Sequence, residues 1–243
     1  MTTAVLLPGN MCDARLWDNA DGAIRRVIRD AGLALADADC SHDDTIAAMA
    51  ARALAATRGT LLPVGFSMGG IVALEMARQA PERVAALVLA DTNCGADLPE
   101  RGAARPAQQA RVRTGELGRI VADELKPAYL AAAHRGNEAL KALLFDMAIR
   151  LGAGVFCQQS EALRTRPDLG GVLDHCAKPL LFLVGAEDTL CPPAWHQAMA
   201  ARAATATLAI IAGAGHMLPL EQPGAFASTL AAWLDHVQLG GTA

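Results

Sequence analysis

The chain reads as an α/β fold: a mostly parallel sheet of about six strands, helices on both faces, and a helical lid inserted after the fourth strand. Three observations predict it. Short apolar runs alternate with longer helix-like segments in the first and last parts of the sequence. Those runs are nearly continuously apolar, as strands covered on both faces are. The alternation stops between about Asp97 and Lys178, where Ala, Arg, Gln and Leu recur at helical spacing without a strand-like run.

Taken in order, strands are expected near Ala4–Leu7, Leu33–Asp37, Thr60–Phe66, Ala85–Ala90, Leu180–Val184 and Thr207–Ala212. Helices are expected near Trp17–Asp30, Asp44–Thr57, Met68–Gln79, Pro193–Arg202 and Pro223–Val237. Asp43 or Asp44 is suited to cap the second helix, and Pro193 and Pro223 to the first turn of theirs. Within the insertion, Arg101, Gly102, Arg105 and Pro106 suggest a polar loop. Helices then follow from about Ala107 to Gly152 and from Val155 to Leu163. This gives a core of residues 1–96 and 179–243 and a lid of residues 97–178.

Composition narrows the function. Of 243 residues 53% are hydrophobic and 19% charged, enough apolar material for one large core. A net charge of −4 without a basic stripe argues against nucleic acid or an anionic membrane as partner. There is no leader-like start and no run long enough to span a membrane, so a soluble, cytoplasmic protein is expected. The six cysteines form no C-x-x-C pair and no zinc spacing with histidine, so reduced, mostly buried thiols and no metal are expected. Cys12 and Cys191 stand apart only because they fall in loops near the site described next.

Gly65-Phe66-Ser67-Met68-Gly69 joins the end of an apolar run to the start of a helical pattern. That is the context of a nucleophile elbow, in which a strained serine projects at the carboxyl edge of a sheet. Two later strands end in polar groups at the same edge: Gly185-Ala186-Glu187-Asp188 and Gly213-Ala214-Gly215-His216. The order Ser67, Asp188, His216 suits a serine nucleophile, a carboxylate that orients the base, and a histidine base. Asp188 is preferred to its neighbour Glu187 because Asp-x-x-x-Pro sets it in the loop ahead of Pro193. Asp91, at the end of the fourth strand, is next in line. His42, His134, His175, His196 and His236 read as surface or structural. After the first strand, the Pro8-Gly9 turn brings a backbone N–H from Asn10 or Met11 toward the serine; Met11 is chosen, with Met68, as the oxyanion hole. Asn10 and Phe66 are taken as substrate-binding.

These segments resemble the α/β-hydrolase superfamily. The resemblance is carried by Leu6-Leu7-Pro8-Gly9 with Trp17, the Ser67 elbow through Gly70, Gly185–Asp188 with Pro192-Pro193, and Gly213–His216 with Glu221-Gln222-Pro223. It covers nearly the whole chain. It implies nucleophile Ser67, acid Asp188, base His216, oxyanion donors near Met11 and Met68, and a lid at Asp97–Lys178. Two departures stand out. Pro8-Gly9 replaces the His-Gly of many relatives, and an initial antiparallel hairpin is expected to be absent. Asp91-Thr92-Asn93 and Gly154–Leu163 look like 3-oxoadipate enol-lactonase relatives.

The expected activity is hydrolysis of a carboxylic ester or lactone of a small to medium molecule through an acyl-enzyme, without cofactor. Alternatives on the same scaffold are C–C bond hydrolysis or a lyase step, acyl transfer to an alcohol or peroxide, and a non-catalytic ligand receptor. No oligomeric state is read from the sequence.

Overall fold

The computed structural model describes residues 1–125 and 129–237. Six strands form one parallel sheet in the order β2-β1-β3-β4-β5-β6. They are β1 (Thr3–Leu7), β2 (Ala34–Asp37), β3 (Leu61–Phe66), β4 (Leu87–Ala90), β5 (Leu180–Gly185) and β6 (Ala206–Ile211). The strand order reverses between β1 and β3, which opens a crevice at the carboxyl edge there.

The two-residue period of the strands divides the core into two layers. Ala4, Leu6, Leu62, Val64, Val88, Leu181 and Leu183 face one side, packed by α1 (Asn19–Asp30) and, near the end of the chain, α9 (Pro223–His236). Val5, Leu7, Leu61, Leu87, Leu89, Leu180 and Phe182 face the other, under α2 (Ile46–Ala56), α3 (Met68–Gln79) and α8 (Pro193–Ala200). Continuously apolar strands are thus explained by burial on both faces. Pro193 and Pro223 stand in the first turns of their helices, as expected.

Two local expectations need correction. The cap of α2 is Thr45, whose hydroxyl accepts from Ala48 N at 3.2 Å. Asp43 and Asp44 lie too far ahead of Ile46, and Asp43 instead pairs with Arg52 at 2.6 Å. The expected loop at Arg101–Pro106 is helical: α4 runs Pro99–Arg111, started by a proline that needs no N–H partner at that position. Pro106 lies on its exposed side.

The two helices expected beyond are also redrawn. After α4 come a π-turn, α5 (Leu117–Arg119) and a second π-turn, with Gly115 at φ 100°. Residues 126–128, within the helix expected over 107–152, lie outside the described residues. The long α6 (Glu138–Arg164) runs through both expected segments and is broken only at Gly152, at φ 82°. The short α7 (Gly170–Asp174) leads back to the sheet. This large helical insertion between β4 and β5 carries its own apolar cluster, in which Val112, Ile120, Val121, Ala148 and Phe156 surround Met11.

The base of the insertion is tied by a buried ion cluster. Asp97, at its start, accepts from Arg105 Nε at 2.6 Å and from Arg166 Nη1, at its end, at 2.9 Å. The Asp97 and Arg166 side chains are 3% and 5% exposed. Burial alone would raise the Asp97 carboxyl, but its bonds to Arg105 and the two positive charges outweigh that and hold it below 3.8. Asp97→Asn removes the partner of a buried cation, and the expected cost is about 3–5 kcal/mol. A depressed folded pKa contributes stability that is complete above the unfolded value and is lost as pH falls through the folded one. Denaturant titrations should therefore show a constant gap between the two proteins from about pH 5 to 8, closing only in acid below the ordinary Asp range of about 3.9.

Candidate active site

Ser67 occupies the turn between β3 and α3 with φ 52° and ψ −116°, a strained conformation for a residue with a Cβ. The turn is possible because of its glycines. A Cβ at Gly69 would collide with the Leu7 carbonyl, and one at Gly65 with the Gly69 carbonyl. Hydrogen bonds hold the strain in place. Ser67 N donates to Ala90 O at 2.9 Å, and Ser67 O accepts from Thr92 Oγ1 at 2.6 Å. Thr92 N in turn donates to His196 Nε2 at 3.0 Å. Burial pushes His196 down to about 4, so it is a neutral acceptor and a structural part of the elbow.

The structure brings Ser67, Asp188 and His216 together. His216 Nε2 lies 3.0 Å from Ser67 Oγ, and His216 Nδ1 lies 2.9 Å from Asp188 Oδ2. The other Asp188 oxygen accepts from Leu190 N at 2.8 Å and Cys191 N at 3.0 Å. Burial would raise the Asp188 carboxyl, but the facing charge and hydrogen bond of His216 and these two N–H donors hold it below its ordinary value. Asp188 is therefore a charged acceptor that fixes the histidine ring. Asp91 is a different kind of group. It is fully buried at φ 44° with Oδ1 accepting from Gly185 N at 2.9 Å. Burial first, and the Asp188 charge second, raise it well above the usual carboxylate range. Glu187 is exposed and accepts from Ala132 N at 2.8 Å, a tether to the insertion.

The His216 loop is held by a residue to which the sequence reading gave no role. The buried Glu221 accepts from Gly215 N at 2.9 Å and Met217 N at 3.0 Å with one oxygen, and from Ala131 N at 2.7 Å with the other. His216 N itself donates to Tyr129 O at 2.7 Å. The segment around Tyr129–Ala131 is thereby laced to the base. The rings of Phe66 and Tyr129 lie 5.3 Å and 5.7 Å from the imidazole.

A cavity of about 290 Å³ opens over Ser67 and His216, lined also by Asn10, Met68, Asn93, Tyr129, Leu190, Cys191 and charged residues of the insertion. Asn10 is on its wall, as expected. Phe66 is not, and its assignment to substrate is corrected: the side chain is 1% exposed and packs beneath His216. The assignment of Met11 to the oxyanion hole is corrected too. Its N–H donates to Gln159 Oε1 at 2.8 Å. The backbone N–H groups of Asn10 and Met68 have no hydrogen-bond partner among the described residues.

Gln159 is a second residue whose role was missed. It is 1% exposed, accepts from Asn10 Nδ2 at 3.1 Å as well as Met11 N, and donates to Cys40 O at 3.0 Å. A polar residue on the core side of α6 was the available signal. Gln159→Leu leaves the buried Met11 N–H and Cys40 carbonyl unpaired, each costing about 1–3 kcal/mol, and frees the half-buried Asn10 amide. Denaturant melts should show a loss of at least about 2 kcal/mol, and kcat should fall because Asn10 is no longer held.

The expectation of an exclusively serine-based chemistry is also corrected. Ligand-type atoms of Asp188, Cys191 and His216 all lie within 4.8 Å of one another, so a thiol lies beside the acid–base pair that the sequence reading gave to Ser67 alone. Cys191 sits in the loop between β5 and α8, and Asn93 Nδ2 approaches its sulfur at 3.7 Å. Burial and the Asp188 charge push this thiol up to about 12.

Comparison with known proteins agrees with the fold. Residues 4–229 match the model of the alpha/beta hydrolase family. A pimeloyl-[acyl-carrier protein] methyl ester esterase of Xanthomonas campestris pv. campestris is 33% identical over 188 residues, 72% of each chain. Among solved structures, a thermophilic esterase from Thermogutta terrifontis, with malate bound, superposes with a TM-score of 0.87 at 28% identity, over 98% of this chain and 90% of that one. The enol-lactonase of Burkholderia xenovorans LB400 superposes with a TM-score of 0.81 at 20% identity, over 96% and 91%, a likeness of fold. With a match over most of its length and the elbow, acid and base at one sheet edge, the chain belongs to the alpha/beta hydrolase family.

Proposed function

We propose that the protein hydrolyses a carboxylic ester or lactone of a small molecule, driven by the Asp188–His216 pair. The observation that carries this reading is the hydrogen-bonded series from Asp188 Oδ2 through both ring nitrogens of His216 to Ser67 Oγ, at 2.9 and 3.0 Å. In the proposed reaction, His216 Nε2 takes the Oγ proton as Ser67 attacks the carbonyl carbon. The Asn10 and Met68 N–H groups receive the developing oxyanion, the latter at the positive end of α3. His216 returns the proton to the leaving alcohol, then activates a water that releases the acid and restores Ser67. The esterases that the chain resembles point to the same bond.

The thiol beside the pair supports a second reading, in which Cys191 carries the acyl group. The two differ in chemistry. A cysteine nucleophile works as a thiolate, favoured by a depressed pKa, whereas Cys191 is pushed up to about 12. Ser67 lies in hydrogen-bond contact with the base and is the nucleophile that the geometry favours. Turnover of a series of methyl and p-nitrophenyl esters and of lactones tests the hydrolase reading, and no turnover of any member would contradict it. Ser67→Ala and Cys191→Ala, assayed on the best substrate, separate the two nucleophiles.

A further inference from the structure

The cavity above the acid–base pair has an uneven charge. Its wall carries three arginines, Arg101, Arg105 and Arg166, and two carboxylates, Asp97 and Glu124. Both carboxylates are already committed. Asp97 holds Arg105 and Arg166, and Glu124 accepts from Arg111 at 2.6 Å and Gln108 at 3.2 Å. Arg101 is left over. Among the described residues it forms no ion pair, and the one acceptor near it is Leu190 O, 3.5 Å from both terminal nitrogens, too long for a good bond. Yet it is well placed. It stands in the first turn of α4, half-buried, next to the Leu190–Cys191 wall, and its positive charge is felt by both Cys191 and Tyr129. A guanidinium with a free fork, in a cleft that holds the reacting groups, is suited to a planar anion.

We propose, resting on the ester or lactone reading above, that the substrate carries a carboxylate away from the scissile bond, and that Arg101 binds it and sets specificity for anionic esters. The substrate class is then the monoester of a short dicarboxylic acid. The cavity of about 290 Å³ suits a chain of that size. Arg101 positions the acyl chain and takes no part in bond making.

The test pairs two esters of matched shape, monomethyl adipate and methyl hexanoate, assayed by acid release. The wild-type protein should prefer the anionic ester. In Arg101→Gln, the ratio of kcat/KM for anionic over neutral ester should fall about tenfold to a hundredfold, the scale of a charged hydrogen bond, chiefly through KM. Arg101→Lys should keep part of the ratio, since it keeps charge without the fork. Raising salt should narrow the wild-type preference. A wild-type preference for methyl hexanoate, or an unchanged ratio in a folded Arg101→Gln protein, would overturn the proposal. Binding is read separately: adipate should raise the Tm of the wild type and not of Arg101→Gln. If neither these two nor any member of the wider series of esters and lactones is turned over, the hydrolase reading falls. The adipate shift still decides the anion site, because its absence in the wild type, or its persistence in Arg101→Gln, refutes that site alone.

Discussion

Ser67→Ala is expected to remove ester hydrolysis while the protein stays folded. The loss should be several orders of magnitude in kcat, on the order of 10⁴ or more, because triad members act as a unit. The fold should survive because the elbow is held by backbone contacts: the N–H of Ser67 on Ala90, its carbonyl under Thr92, and glycines at 65 and 69. Alanine tolerates this backbone no worse than serine does. Cys191→Ala makes the opposite pattern. It deletes a buried thiol whose nearest side-chain donor is Asn93 at 3.7 Å, so stability should fall by about 1 kcal/mol with most activity kept. If instead Cys191→Ala is inactive and Ser67→Ala active, the thiol is the nucleophile. Measuring kcat and the unfolding midpoint of both variants distinguishes these outcomes.

Asp188→Asn is expected to be nearly as severe, lowering kcat by about 10³–10⁴-fold on the precedent of such triads. The amide offers His216 Nδ1 no charge and favours the wrong tautomer, leaving Nε2 protonated and unable to accept from Ser67. Stability should change little, since Leu190 N and Cys191 N can still bond the amide oxygen. Glu187→Gln should cost little in kcat because its carboxylate accepts from Ala132 N and makes no bond to His216 among the described residues. Asp91→Asn tests the neighbouring carboxyl. Burial and the Asp188 charge raise the Asp91 carboxyl well above the usual carboxylate range, so a neutral amide is a close replacement and Asp91→Asn should retain far more activity than Asp188→Asn. An active Asp188→Asn beside an inactive Asp91→Asn would mean that Asp91, not Asp188, orients the base.

How far the sequence reveals this arrangement depends on the range of the interactions involved. The strands are legible because burial on both faces leaves no polar residue to interrupt them. The elbow, Asp188 and His216 are legible because each follows a strand directly, and a parallel sheet places all strand ends at one edge. The oxyanion loop is misread by one residue. Whether Asn10 or Met11 turns its N–H to the cavity is decided by Gln159, 148 residues from Met11, and no local pattern near Pro8-Gly9 records that contact. Phe66 is misplaced for a similar reason. It adjoins Ser67 in sequence, but the strand turns it under His216. Glu221 is in view with its neighbours, yet its three backbone partners become visible only when the Tyr129–Ala131 segment returns to the His216 loop. The loop expected at Arg101–Pro106 is helical because Pro99 starts the helix, and that shift brings Arg101 to the cavity wall. Cys191 shows the same limit. Its position in a loop near Asp188 is plain from sequence, but its proximity to His216 requires the β5 and β6 edges to meet.

The nucleophile can be identified directly by covalent labelling. A fluorophosphonate reacts with an activated nucleophile by forming a bond to phosphorus with loss of fluoride, and the labelled peptide is read by mass spectrometry. The geometry predicts one adduct per chain, on Ser67, absent from Ser67→Ala and strongly reduced in His216→Ala. An adduct on Cys191, or labelling of Ser67 that is indifferent to loss of His216, would contradict a Ser67 nucleophile activated by the Asp188–His216 pair.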